Sequence, residues 1–275
     1  MADTALIFRE ELQKAGIDIT EGEVLINSSG EALYVLSTHG SQAIPLWRRL
    51  RERVSQTEHW PLLVGEQKDL DVLREQWQSL DFGTTKEILQ RALTIDAVQW
   101  FERKHEEVVD ELLEFGGQLY STSAEELLGS AEEFRGLPRG LWPTESSPCH
   151  EFQIPIGMAS RKPLPQVYVA LVPTATCWHV PAHLRFGAWN ECPQSEEHVA
   201  LMRFWQQNFG AEVVGITSDV VEMLVGCPPS NRIDALKLAK QQYLYCQDIV
   251  DQGTQTLEVL AASLLGGTSW FFWWD

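Results

Sequence analysis

The sequence predicts an α+β fold, a mixed β-sheet with flanking helices. Two readings carry that expectation. Residues 166–275 read β-α-β-β-α-α-β, and residues 23–37 read as a pair of short strands ahead of helical segments. A third feature concerns the C-terminal element. "WFFWWD" (270–275) sets three Trp and two Phe in one unbroken apolar run. A strand that is apolar at every position is covered on both faces, so a buried aromatic strand inside the sheet is expected. The run is too short to span a bilayer, which takes about 20 apolar residues as a helix.

In chain order, "EVLINSSGEALYVLS" (23–37) is a hairpin around a Ser-Gly turn. Ser41 is placed to cap the next helix, whose inner face carries Trp47, Leu50 and Val54. That helix holds a dense basic patch of Arg48, Arg49, Arg51 and Arg53. Such a patch can grip phosphate, but in a chain this acidic its expected partners are the chain's own carboxylates. "WPLLVGE" (60–66) reads as a buried strand. From about 69 to 134 the texture is helical and acidic. Phe101, His105, Val108, Leu112 and Phe115 form one stripe, while Glu106, Glu107, Asp110, Glu111 and Glu114 take the other faces. Gly116-Gly117 is read as the end of that helix. The Pro/Gly/Ser-rich stretch 135–155 divides an N-terminal α+β region (1–140) from a C-terminal α+β domain (150–275), and the two can pack as one unit.

In the second region "QVYVALV" (166–172) is a strand. Ser195 is expected to cap a helix with Glu196 and Glu197 in its positive first turn and Val199, Met202, Trp205 and Phe209 facing inward; Gly210 stops it. "AEVVGIT" and "VVEMLVG" are strands around Ser218-Asp219, where Asp219 is expected to bond the backbone in an Asx-type turn. Asn231 caps another helix. Asp248 and Asp251 stand near a helix end that favours cations. Leu257, Leu260, Ala261 and Leu264 face one side of the last helix before Gly266-Gly267.

Composition excludes several classes. The 275 residues carry 39 acids against 21 Lys and Arg, a net charge of -18. Nucleic acid and anionic membranes are bound through cations, so neither is an expected partner, and a basic protein is. Residues 1–16 place charges where a secretory signal needs an apolar core. Five irregularly spaced Cys argue for a reducing compartment. A cytoplasmic location is expected.

Four motifs, "CWHVPAHLRFGAWNECP", "FGAEVVGITSDVVEMLVGCPP", "AKQQYLYCQDIVDQG" and "WFFWWD", resemble a bacterial family known as domain of unknown function 4253, over about residues 166–275. "LPRGLWP" (137–143) is a weaker echo of the same family. The resemblance implies a bacterial origin and a terminal aromatic strand integral to the fold. It implies no reaction.

The densest reactive group is Cys177, His179, His183 and Cys192. Two thiols and two imidazoles suit tetrahedral zinc, although the spacing is no established zinc pattern and on a strand or loop Cys177 and His179 would point the same way. Cys192 also stands just before a helix N-terminus, where the dipole favours thiolate. With His179 or His183 as base and Asn190 as orienter it would be a Cys-His-Asn arrangement in type. A tight turn before a helix explains the same residues without chemistry. No phosphate loop, dinucleotide fingerprint or metalloprotease motif is present, and no cofactor is expected. The sequence therefore favours a non-catalytic binding protein, of the acidic, toxin-neutralising kind, with the carboxylates of residues 106–114 as the contact. A thiol- or metal-dependent enzyme built on Cys192, His179 and His183 is the alternative.

Overall fold

The first hairpin pairs β1 (Gly22–Ile26) antiparallel with β2 (Ala32–Thr38), Val24 opposite Tyr34, and buries Leu33 to Leu36 of β2. A computed structural model describes residues 22–27, 30–79, 81–119, 132–145, 147–157 and 159–275 together with Gln13, and the side chains of 115–119 are outside it. Two residues of the expected turn, 28 and 29, lie outside the described residues, as does the side chain of Phe115.

α1 (Gly40–Arg51) is capped by His39 and not by Ser41. The His39 backbone is still extended, and its Nδ1 accepts the Ser41 N–H at 3.2 Å. Trp47 and Leu50 are buried, while Val54 opens a separate turn, α2 (Val54–Thr57). Arg51 reaches across to Glu212, with Nε 2.8 Å from Oε2, and lies 4.7 Å over the Trp60 ring. β3 (Trp60–Gly65) is buried along its whole length. α3 (Gln67–Gln78) and α4 (Thr85–Ala92) follow, each opened by a capping box. α5 (Ala97–Leu119) carries the acidic faces and continues through Gly116-Gly117. Glycine costs a helix about 1 kcal/mol relative to Ala, but it ends one only by taking the left-handed cap conformation.

β4 (Val167–Val172) leads to a 3-10 turn (Cys177–His179) and α6 (Val180–Leu184), so the segment read as strand or loop is helical. Pro181 in its first turn suits that start. α7 (Ser195–Phe209) is capped by Gln194, in a reciprocal box with Glu197. Ser195 is already inside the helix, and its Oγ donates instead to Phe186 O at 2.7 Å. Gly210 closes α7 with φ 59°. β5 (Ala211–Ile216), β6 (Val220–Val225), α8 (Arg232–Tyr245), a π turn (Ile249–Thr254), α9 (Leu257–Leu264) and β7 (Ser269–Trp273) complete the chain. The Asp219 carboxylate accepts the hydroxyls of Thr217 and Ser218 rather than a backbone N–H.

The strands make one mixed sheet in the order β1-β2-β4-β3-β5-β6-β7. β3 pairs antiparallel with β4 and parallel with β5. The sheet thus takes strands from both sides of the 135–155 connection. That connection is itself tied to the sheet: Glu222 of β6 accepts the backbone N–H groups of Gln153 and Ile154. A Cβ on Gly215 would stand 2.4 Å from Ile154 Cδ1, so the bare glycine lets the strap lie on the strand.

β7 buries Trp270 and Phe272, but Phe271 and Trp273 on its other face are only half-buried, and it is the edge strand, not an inner one. Loops replace the missing neighbour. Cys149 O accepts the Ser269 N–H at 3.1 Å, and the Cys246 thiol donates to Trp273 O at 2.8 Å. Trp205 of α7 stacks on Phe272 at 5.7 Å with rings 5° from parallel, and Tyr245 meets Phe272 edge-on at 4.9 Å. No helix among the described residues is long and apolar enough to cross a membrane.

Candidate functional site

The stripe on α5 fixes which acids face out. Phe101 and Val108 are buried and His105 and Leu112 half-buried, so the opposite faces turn to water. Glu106, Asp110, Glu111 and Glu114 are exposed. Among the described residues none of these four forms an ion pair, whereas Glu107 is taken by Lys104 at 2.7 Å and Arg103 at 3.6 Å. The helix is pinned from behind. His105 Nε2 meets Arg135 O at 2.7 Å, which makes Nε2 the donor and leaves Nδ1 to accept from Lys240 at 3.1 Å. Burial holds the His105 pKa below its ordinary value, as this neutral tautomer requires.

The thiol and imidazole candidates divide into separate places. Cys177 is buried beneath β5, its Sγ 4.0 Å from Ala211 O, and burial pushes its pKa up to about 12. His179 and His183 lie side by side on the 177–184 segment, facing a groove that Glu31 also lines. Burial lowers both imidazoles, His183 to about 4. Among the described residues no group of three or more His, Cys, Asp or Glu side chains is placed to hold a metal ion. Asn190 takes neither thiol nor imidazole: its Nδ2 donates to Asp275 O at 2.7 Å and moors the C-terminal residue.

The imidazole beside Cys192 is His198, neither His179 nor His183. Cys192 Sγ stands 3.4 Å from His198 Nε2, and His198 Nδ1 stands 2.6 Å from the Tyr245 hydroxyl. Phe186 and Trp274 rings lie 5.0 and 5.6 Å from the imidazole and seal it. His198 is fully buried, which lowers its pKa to about 3, and burial drives the Cys192 thiol far above its ordinary value. Moving the proton from sulfur to nitrogen would create two buried charges, and both shifts oppose it. The N-terminal position on α7, which by itself favours thiolate, is outweighed by desolvation. A cavity of about 170 Å³ does border Cys192 and Tyr245, with Asn190 and Glu197 on its wall.

His198 was hidden by its type but not by its position. It stands four residues before Met202 and seven before Trp205, on the same inward stripe of α7. Its partner Tyr245, at the far end of α8, carries no local signal.

No curated protein and no solved structure matches the chain. The buried thiol, both groove imidazoles and the aromatic edge strand all fall within residues 168–275, and over those residues the chain matches the family model of DUF4253, a domain of unknown function.

Proposed function

We propose that this protein is a non-catalytic binding protein of the toxin-neutralising type, which covers a basic protein partner with the outward face of α5. A bacterial cytoplasm is the setting that goes with this reading. The observation that carries it is the row of Glu106, Asp110, Glu111 and Glu114, exposed and without ion pairs among the described residues on a helix held rigid from behind. A second support is chemical. The thiol that would serve an enzyme is buried against an imidazole that burial keeps neutral.

Acidic surfaces speed the encounter with basic ones, and the effect fades as salt shortens the Debye length from about 10 Å at 0.1 M to about 3 Å at 1 M. The test combines Glu106→Lys, Asp110→Lys and Glu114→Lys in one variant. Basic proteins retained from a native host extract are identified, and their association rate is measured with both forms. The variant is expected to associate about tenfold more slowly at low salt, with the difference closing at high salt and the melting temperature unchanged. Equal rates at every salt concentration would remove α5 as the contact.

A further inference from the structure

A groove of about 490 Å³ lies between α4, the 177–184 segment and α7. Its floor is apolar. Ala92 and Val199 belong to a small buried cluster with Ile88 and Ala182, against which Leu89 and Trp178 pack. Such a volume is within the range of small-ligand sites, about 300–1,000 Å³.

The charge at this groove runs against the rest of the chain. Arg203 is half-buried with its guanidinium 5.8 Å from the Trp178 ring, and among the described residues no carboxylate pairs with it. Its neighbours differ: Arg91 is held by Glu196 at 2.7 Å and Arg185 by Glu31 at 3.2 Å. Half-buried Arg53 and Lys240 likewise lack an ion pair among the described residues, so what sets Arg203 apart is its place at an apolar groove with two imidazoles on its wall. Exposed Lys86 adds a second cation at the rim. Glu31 lines the groove too, but Arg185, Thr85 and Asn27 already engage its carboxylate. The overall charge of -18 repels anions at a distance, yet screening over about 8 Å leaves Arg203 and Lys86 to dominate locally.

Two imidazoles supply directional contacts. His183 makes no hydrogen bond among the described residues, and burial keeps it neutral, with one N–H and one lone pair to offer. His179 uses Nδ1 on the Thr174 hydroxyl at 3.3 Å and leaves Nε2 for another partner. An apolar floor edged by the Trp178 ring, an uncompensated guanidinium and neutral imidazoles together describe an aromatic ring that bears a negative charge. We propose that this groove binds a small aromatic carboxylate, with its ring on Trp178, Leu89 and Val199, its carboxylate at Arg203, and a hydrogen bond from His183.

The probe is 2-naphthoate, titrated into the full chain by calorimetry while the imidazole resonances of His179 and His183 are followed. Saturable one-to-one binding that shifts both resonances is expected. The uncharged analogue 2-naphthylmethanol should bind about tenfold more weakly or worse, since it lacks the charge-assisted contact. Arg203→Gln should weaken 2-naphthoate by a similar factor and leave the alcohol unaffected. The comparison of the two ligands on the unmodified chain stands even if that variant misfolds. Absence of saturation, equal affinity for acid and alcohol, or unchanged histidine resonances would each overturn the proposal.

Discussion

Glu222 shows how one side chain can govern pH behaviour. It is buried in β6, with two backbone N–H groups as its hydrogen-bond partners, and burial raises its pKa to about 7. Because the folded value lies above the ordinary 4.5, the folded chain retains a proton that the unfolded chain has lost between those two pH values. Stability from this group is therefore full below about pH 4.5 and falls as pH rises through about 7, by on the order of 3 kcal/mol. Glu222→Gln cannot ionise. The drop in melting temperature between about pH 5 and about pH 8 is expected to shrink in that variant. A pH dependence identical to that of the unmodified chain would show that Glu222 does not titrate there. The sequence gives no sign of this group, because Glu222 reads as one polar position in an apolar strand and its burial arises from a strap some seventy residues earlier. His198 is the opposite case, since its place on the α7 stripe was legible and only the chemistry of its neighbours was not.

At the scale of elements, β7 illustrates what burial can and cannot be inferred from composition. Its apolar run announces a buried strand, and Trp270, Phe272 and Trp274 are each at most 3% exposed. The edge position was not legible, because inner strands and loop-covered edges present the same requirement to a side chain. Here Cys149, Cys246 and Asp248 supply the partners that a neighbouring strand would otherwise give. The indole N–H groups of Trp270 and Trp274 find no acceptor among the described residues, so apolar packing must hold these two rings. Truncating one buried aromatic costs about 3–5 kcal/mol, and whole domains hold about 5–15 kcal/mol. Deleting residues 270–275 is expected to abolish cooperative unfolding, as read by circular dichroism on heating. A soluble truncated protein with an unchanged melt would instead mark the strand as dispensable to the fold. Helix starts were misplaced for a related reason. Ser41 and Ser195 are good capping residues, but His39 and Gln194 occupy the extended position that a cap requires.

Across the whole molecule the sheet order matters most. β3 comes from the N-terminal region yet lies between β4 and β5, and Arg51 of α1 pairs with Glu212 of β5. Residues 150–275 alone would expose the edges of β4 and β5, both almost wholly buried in the full chain. That fragment is expected to aggregate or to show no sharp thermal transition, and a soluble fragment with a cooperative melt would establish the region as a self-sufficient domain. By itself the sequence determined the fold class, the strands, the principal helices and the outward acids of α5, because each follows from periodicity within a few turns of chain. It also carried the family resemblance across residues 166–275. Only the tertiary structure decided the strand order, the edge position of β7, the pairing of Cys192 with His198 and the unmatched charge of Arg203. Those depend on which distant segments meet, and local periodicity is blind to contacts made across a hundred residues.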